Sequence, residues 1–431
     1  MADTKKTYRN PWAWVPSLYL AEGIPFTIAM FVSVIMYKKM GISNTDIALY
    51  TSWLYLPWVI KPLWSPVVDI LRTKRFWIVT MQFIIGVLLA SVALTIPLPS
   101  FFQITLAILW LMAFSGATHD IAADGYYMLA IDQGTQAEFV GMRSLFYRIA
   151  MISGQGLLVI LAGYLENHGG IAFAWSVSFM AIAAIFIILS IYHKFILPYP
   201  VVDSSKAYDK EKGFHGEFLK TFVIFFKRKE IGLILAFLLL YRLNESQLIK
   251  LITPFLLDAR EKGGIGLTTS DVGFAYGVVG IIGLLLGGIT GGFMISEKGL
   301  KYWLLPMVFT IHIPDLMYIF LSQFRPDNLA IVSAAVGLEQ FTYGFSFTAY
   351  TMFMIMVSDG EHRTAHYAIC TGLMALGMML PGMISGKLQE WLGYQTFFLT
   401  VVISIIPALL VAMHVKVDPE FGKKKLISET S

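Results

Sequence analysis

Glu22, Asp120, Asp124, Arg148, Arg242, Glu245, Lys250 and Glu339 all lie within apolar runs of the chain. An ionisable side chain costs free energy there unless it meets a partner, water or a ligand, so each is a candidate for function. Asp120 and Asp124, in His119-Asp120-Ile121-Ala122-Ala123-Asp124, are four apart and share one face of a helix. Two acids that close favour sharing a proton, which suits a group that must take one up and release it. Metal binding is disfavoured, because no His or Cys at suitable spacing joins the pair. Glu22 sits in Leu20-Ala21-Glu22-Gly23-Ile24-Pro25, where Gly23 and Pro25 loosen the helix and open backbone groups to water or a ligand. Arg148, in Phe146-Tyr147-Arg148, supplies a counter-ion, and an ion pair with Asp124 across neighbouring helices is expected, either as a fixed bridge or as a gate. His119 points away from the acids, and Lys61, between Ile60 and Pro62, either snorkels or bridges to the next helix.

The most polar apolar run is Tyr241-Arg242-Leu243-Asn244-Glu245-Ser246-Gln247-Leu248-Ile249-Lys250. Arg242 and Glu245, three apart, either form a permanent pair within the helix or belong to a proton-coupling set with Glu22 or Asp120. A later run adds Glu339, Gln340, Tyr343 and Tyr350. The proton-coupling candidates are therefore Glu22, Asp120, Asp124, Glu245 and Glu339. Arg148, Tyr147, Tyr241, Arg242, Asn244, Lys250, Gln340, Tyr343 and Tyr350 are the substrate-binding candidates, cations for carboxylates and rings for a sugar. No nucleophile–base set or metal-ligand set shares one membrane depth, so neither an enzyme nor a bound cofactor is expected.

The elements that must hold these residues follow from composition. Of 431 residues, 57% are hydrophobic and 14% charged, with mean hydropathy +0.68. A soluble domain carries about a quarter charged residues, so this is a polytopic membrane protein. The net charge of +4 is too small and scattered for nucleic-acid binding, and Cys370, the one cysteine, has no partner for an internal disulfide. Twelve spans are read: 14–36, 46–68, 76–97, 101–123, 141–165 and 171–189, then 231–256, 272–295, 302–324, 329–357, 367–384 and 394–413. The first is too long for a signal peptide, holds Glu22, and precedes no small-residue cleavage pattern. With both termini inside, inner loops and tails hold 22 Lys and Arg against 6 in outer loops, which fixes the orientation.

The hydrophilic stretch 198–230 divides the chain into a six-helix bundle 1–197 and a second, 231–413, with a cytoplasmic tail 414–431. Arg75-Phe76-Trp77 after the second span recurs as Lys301-Tyr302-Trp303 after the eighth, a faint echo of duplication. This all-α layout, two bundles of six, is that of major facilitator transporters, in which spans one, four, seven and ten line a central cavity. Asp69, Arg72 and Arg75 form a short charged turn that resembles the inner loop after the second helix of facilitators, and they are read as a cytoplasmic gate. The run Gly287-Gly288-Ile289-Thr290-Gly291-Gly292 lacks the Gly-Lys-Ser/Thr of a phosphate loop, so close helix packing is expected.

These motifs resemble those of the AmpG-type muropeptide permeases, within a wider family that includes acetyl-coenzyme A transporters. Lys61-Pro62-Leu63-Trp64-Ser65-Pro66 followed by Asp69 is similar to that family's Lys-Phe-Leu-Trp-Ser-Pro segment ending in Asp. His119-Asp120-Ile121-Ala122-Ala123-Asp124 resembles its Gln-Asp-Ile-x-x-Asp, and Tyr147-Arg148 its Tyr-Arg. Tyr241-Arg242-Leu243 through Glu245 resembles Tyr-Lys-Leu-x-Asp, and Glu339-Gln340 falls at its Glu-Asn. Glu22 stands where the family has a small hydroxyl residue, and His366 where it has Gln. The resemblance implies proton-driven import of N-acetylglucosaminyl-anhydro-N-acetylmuramyl peptides across the bacterial inner membrane for peptidoglycan recycling, by a monomer without ATP. The alternatives are a carrier of another large anion, such as an acyl-coenzyme A or a siderophore complex, and a transporter-like membrane sensor. The sensor is disfavoured because the central loop and tail are short for an output domain.

Overall fold

The computed structural model describes residues 10–131, 133–199, 222–359 and 363–423. Every regular element among them is helical. Eight helical segments among the described residues are long and apolar enough to cross a membrane. The chain is a multi-pass membrane protein.

The first part contains α1 (Val15–Thr27), α2 (Ser33–Lys39), α3 (Asn44–Trp53), α4 (Leu56–Leu71), α5 (Lys74–Thr95), α6 (Phe101–Ala130), α7 (Gln133–Ile152) and α8 (Val159–Ile196). The second contains α9 (Ile231–Leu240), α10 (Leu243–Leu257), α11 (Thr269–Phe274), α12 (Ile281–Lys298), α13 (Leu300–Thr310), α14 (Ile313–Phe324), α15 (Leu329–Ser358), α16 (Arg363–Ile403) and α17 (Ile405–His414). Gly170 inside α8 and Gly393 inside α16 have φ of 81° and 73°, and each breaks its helix where the sequence separates two spans. Ser43 accepts from the Asp46 N–H at 3.0 Å to start α3, and Thr73 accepts from the Phe76 N–H at 3.1 Å to start α5.

The chain resolves into two compact units, Met1–Lys212 with Thr268–Gly273, and Gly213–Leu267 with Phe274–Ser431. The small segment joins the first unit because Thr269 donates to both oxygens of Glu166, at 3.0 and 2.8 Å. Most of the expected linker, residues 200–221, and the end of the tail lie outside the described residues.

Within the second unit the glycines of α12 meet α15. A Cβ added at Gly283, Gly287 or Gly291 would approach the carbonyl oxygens of Gly337, Phe341 and Phe345 to 2.3, 1.9 and 2.6 Å. The four-residue spacing of small side chains brings the backbones together, as the glycine run led us to expect. Gly287→Ala is expected to lower the melting temperature of the detergent-solubilised protein through overpacking of about 1–3 kcal/mol. Gly292→Ala, which meets nothing within 4 Å, is the control and should melt like the native protein.

Candidate functional site

Among the described residues two charge clusters are built, one in each unit; the first is partly open, with Glu22 buried and the Asp124 side chain 41% exposed. In the first, α1 lies along α6 in an antiparallel register. A Cβ at Gly116 would meet the Pro25 ring at 2.9 Å, and one turn further along α6 Asp120 comes level with Glu22. A turn beyond that, Tyr19 donates to Asp124 Oδ1 at 3.3 Å. Steps of four on α6 thus match steps of three on α1, the spacing that keeps one face of each helix in contact. Gly23 adds the third wall: a Cβ there would sit 2.7 Å from Ala150 Cβ and 2.9 Å from the Tyr147 carbonyl, so α7 lies directly against α1.

One carboxylate oxygen each from Glu22, Asp120 and Asp124 lies within 4.8 Å of the others. Lys61 of α4 reaches Asp120 Oδ2 at 2.5 Å, and Arg143 of α7 pairs with Asp124. The Arg143 guanidinium also rests over the rings of Tyr19 and Tyr127, at 4.5 and 4.6 Å. Three acids therefore face two cations. Glu22 Oε2 is buried with no hydrogen-bond donor, and the residue is 9% exposed. A metal ion fits this set poorly, because two of the three carboxylates are already held by cationic side chains.

The expected Asp124–Arg148 pair is corrected here, since Asp124 pairs with Arg143. Depth decides it. At about 1.5 Å per residue from the connection between Ile131 and Gln133, Asp124 lies about 10 Å up α6, Arg143 about 15 Å up α7 and Arg148 about 23 Å. Arg148 is also about 140° around α7 from Arg143. It is half-buried and makes no hydrogen bond or ion pair among the described residues.

His119 points away from the acids, as read from its position. It hydrogen-bonds Gln82 at 2.9 Å, Gln82 meets His193 at 2.8 Å, and His193 meets Ser17 at 2.9 Å. At the turn between α4 and α5, Arg72 is exposed with its guanidinium 5.5 Å from the Phe76 ring centre. Arg75 donates to the carbonyls of Lys194 and Leu197 and packs 3.9 Å from the Tyr199 ring centre. The side chain of Asp69 lies outside the described residues.

In the second unit the polar run is interrupted. The helix breaks between α9 and α10 at Tyr241 and Arg242. Arg242 then binds Glu245 with two hydrogen bonds, Nε to Oε2 at 2.7 Å and Nη2 to Oε1 at 2.5 Å. Its guanidinium lies 5.3 and 5.2 Å from the ring centres of Tyr343 and Phe347. Glu339 accepts from Tyr318 at 2.5 Å, Tyr276 at 3.1 Å and Gln340 at 3.1 Å. Asn244 donates to Asp315 at 2.8 Å, and Lys250 is buried.

Tyr241 and Tyr350, expected to contact a sugar, do something else. Their rings stack at 4.6 Å, and their hydroxyls donate to the carbonyls of Ser346 and Leu238 at 2.8 and 2.6 Å. Both are buried, so they clamp α9 to α15 and offer a ligand no surface. Tyr147, Gln340 and Tyr343 remain half-buried. Sequence reasoning missed Arg143, Tyr19, Tyr276, Tyr318, His312 and Asp315, and placed Lys61 no further than a bridge to some next helix. The signal for His312 and Asp315 was present, as two ionisable residues inside one apolar run.

All-helical units, apolar spans and charge clusters are the features of a membrane transporter. The chain belongs to the Major Facilitator Superfamily, which it matches over residues 17–355. It is 24% identical over 411 residues to "Putative transporter AmpG 4" of Rickettsia conorii, covering 92% of this chain and 94% of that one. It is likewise 24% identical over 425 residues to "Putative transporter AmpG 1" of Rickettsia prowazekii, with 87% and 92% covered. Among solved structures it shares the fold of the nucleoside transporter NupG, with TM-score 0.67, 17% identity, and 93% and 98% of the two chains covered. The D-xylose-proton symporter gives TM-score 0.67 at 14% identity, with 95% and 98% covered. The protein is a transporter and not an enzyme.

Proposed function

We propose that this protein imports peptidoglycan fragments, N-acetylglucosaminyl-anhydro-N-acetylmuramyl peptides, from periplasm to cytoplasm by proton-coupled alternating access. The likeness to AmpG transporters along nearly the whole chain carries the substrate reading. The acid cluster of the first unit supports the coupling. Three carboxylates against Lys61 and Arg143 leave one negative charge in excess, and one proton removes it. Glu22 is the group we assign to that proton, because Asp120 and Asp124 each hold a cation and Glu22 Oε2 has no donor. Glu245 is taken by Arg242 and serves as an ion pair. The arrangement we infer is two six-span bundles, 1–197 and 231–413, joined by a cytoplasmic loop in the inner membrane. Both termini are then inside, and Asp69, Arg72 and Arg75 restrain the cytoplasmic mouth.

A muropeptide carries carboxylates, and Arg148 has a guanidinium that no acid of the described chain occupies. Arg148→Gln is expected to raise KM roughly ten- to hundredfold, the worth of a charge-assisted hydrogen bond, with thermal stability unchanged. A KM near the native value would remove Arg148 from the substrate site. The reading as a whole is tested by uptake of labelled anhydromuropeptide into vesicles holding the protein, with and without a pH gradient. Uptake above equilibrium only with the gradient is expected. No uptake would remove the substrate, and gradient-independent equilibration would remove the coupling.

A further inference from the structure

A second buried titratable cluster lies where two interrupted helices meet. The helix broken at Tyr241 and Arg242 resumes as α10, and the helix broken at Ile311 and His312 resumes as α14, with Pro314 in its first turn. Asn244 in the first turn of α10 donates to Asp315 Oδ2 in the first turn of α14 at 2.8 Å. His312 Nδ1 lies 3.4 Å from the same oxygen. Asp315 is 0% exposed, Asn244 1% and His312 6%. Each also has a buried polar atom without a partner: Asp315 Oδ1, His312 Nε2 and Asn244 Oδ1.

Of the charged groups on neighbouring elements, Arg242 is held by Glu245, Glu339 accepts only from the neutral Tyr276, Tyr318 and Gln340, and Lys250 is buried on α10. No lysine or arginine pairs with Asp315 among the described residues. A fully buried carboxylate without a cation carries a large desolvation cost. Here the compensation is a proton, placed either on the carboxyl or on the imidazole. Broken helices are also the places where a transporter flexes and opens buried groups to water. A permanent clamp needs only the Asn244–Asp315 hydrogen bond; it does not need an imidazole with an unpartnered nitrogen beside it.

We propose that His312 and Asp315 bind a second proton, which exchanges with water in each transport cycle, so that two protons accompany each substrate. The inference rests on the proton-coupled reading above and adds a site to it. The first test needs no substrate. Proton uptake by the detergent-purified protein between alkaline and mildly acidic pH is counted for the native chain and for Asp315→Asn. The variant is expected to take up one proton fewer per chain; an equal count overturns the proposal. Should Asp315→Asn fail to fold, His312→Gln replaces it. It is expected to lose the same exchange, because the remaining carboxyl then keeps its proton throughout.

The second test uses labelled anhydromuropeptide in proteoliposomes with the membrane potential clamped. The logarithm of the accumulation ratio is expected to rise by two per pH unit of gradient in the native protein and by one in Asp315→Asn. A slope of one in both overturns this site and leaves the proton-coupled reading standing. A native slope of zero overturns both.

Discussion

Glu22→Gln is expected to remove one of the protons that drive each anhydromuropeptide inward, so that uphill accumulation falls steeply while substrate exchange across the membrane stays near the native rate. Glutamine keeps the volume and hydrogen-bonding shape of the side chain, so the contact between α1 and α7 at Gly23 is preserved. It cannot ionise, however, and the cluster of Asp120, Asp124, Lys61 and Arg143 is then neutral without a transported proton. Coupling requires that proton and substrate favour the same loaded state, and a cluster that is always neutral loses that preference. Accumulation with the pH gradient imposed and counterflow without it are the two readouts. If the variant still concentrates substrate with native pH dependence, Glu22 does not carry the proton.

The second large effect concerns stability. Arg242→Gln is expected to cost about 3–5 kcal/mol, because it strands the buried Glu245 carboxylate. The pair is held by two hydrogen bonds with side-chain exposures of 9% and 11%, so water compensates little of the loss. Arg242→Gln combined with Glu245→Gln should recover most of the melting temperature and membrane yield, since neither charge is then stranded. Glu245→Gln in the single form is expected to retain the full native dependence of accumulation on the gradient, in contrast to Glu22→Gln. A double variant no more stable than Arg242→Gln would mean that the guanidinium acts through Tyr343 and Phe347 and not through Glu245.

What could be read in advance divides along a physical line. Apolar runs report helices that cross lipid, and Gly170 and Gly393 sit in the polar interruptions between runs, so the helical architecture was visible in the chain itself. Facing residues on one helix were equally visible, as with Asp120 and Asp124 or Arg242 and Glu245. Partners on different helices were not, because they depend on depth and rotation. Asp124 chose Arg143 over Arg148 on both counts, although counting residues from the intervening turn would have favoured Arg143. Lys61 found Asp120 across a contact between α4 and α6 that no spacing encodes. The rings of Tyr241 and Tyr350 were read as open to a sugar, whereas they stack on each other and their hydroxyls are taken by carbonyls of facing helices, Ser346 in α15 and Leu238 at the broken end of α9. His312 and Asp315 stood out as ionisable residues in an apolar run, but their partner, Asn244, lies 71 residues away and no spacing joins them.

If substrate and protons cross together, substrate alone must move protons, with no gradient imposed. Proteoliposomes carrying the protein and an entrapped pH dye are prepared with equal pH on both sides, and unlabelled anhydromuropeptide is added outside. The interior is expected to acidify in step with substrate entry, and Glu22→Gln vesicles are expected to acidify less for each substrate that enters. Substrate entering the native vesicles with no change in internal pH would contradict proton coupling.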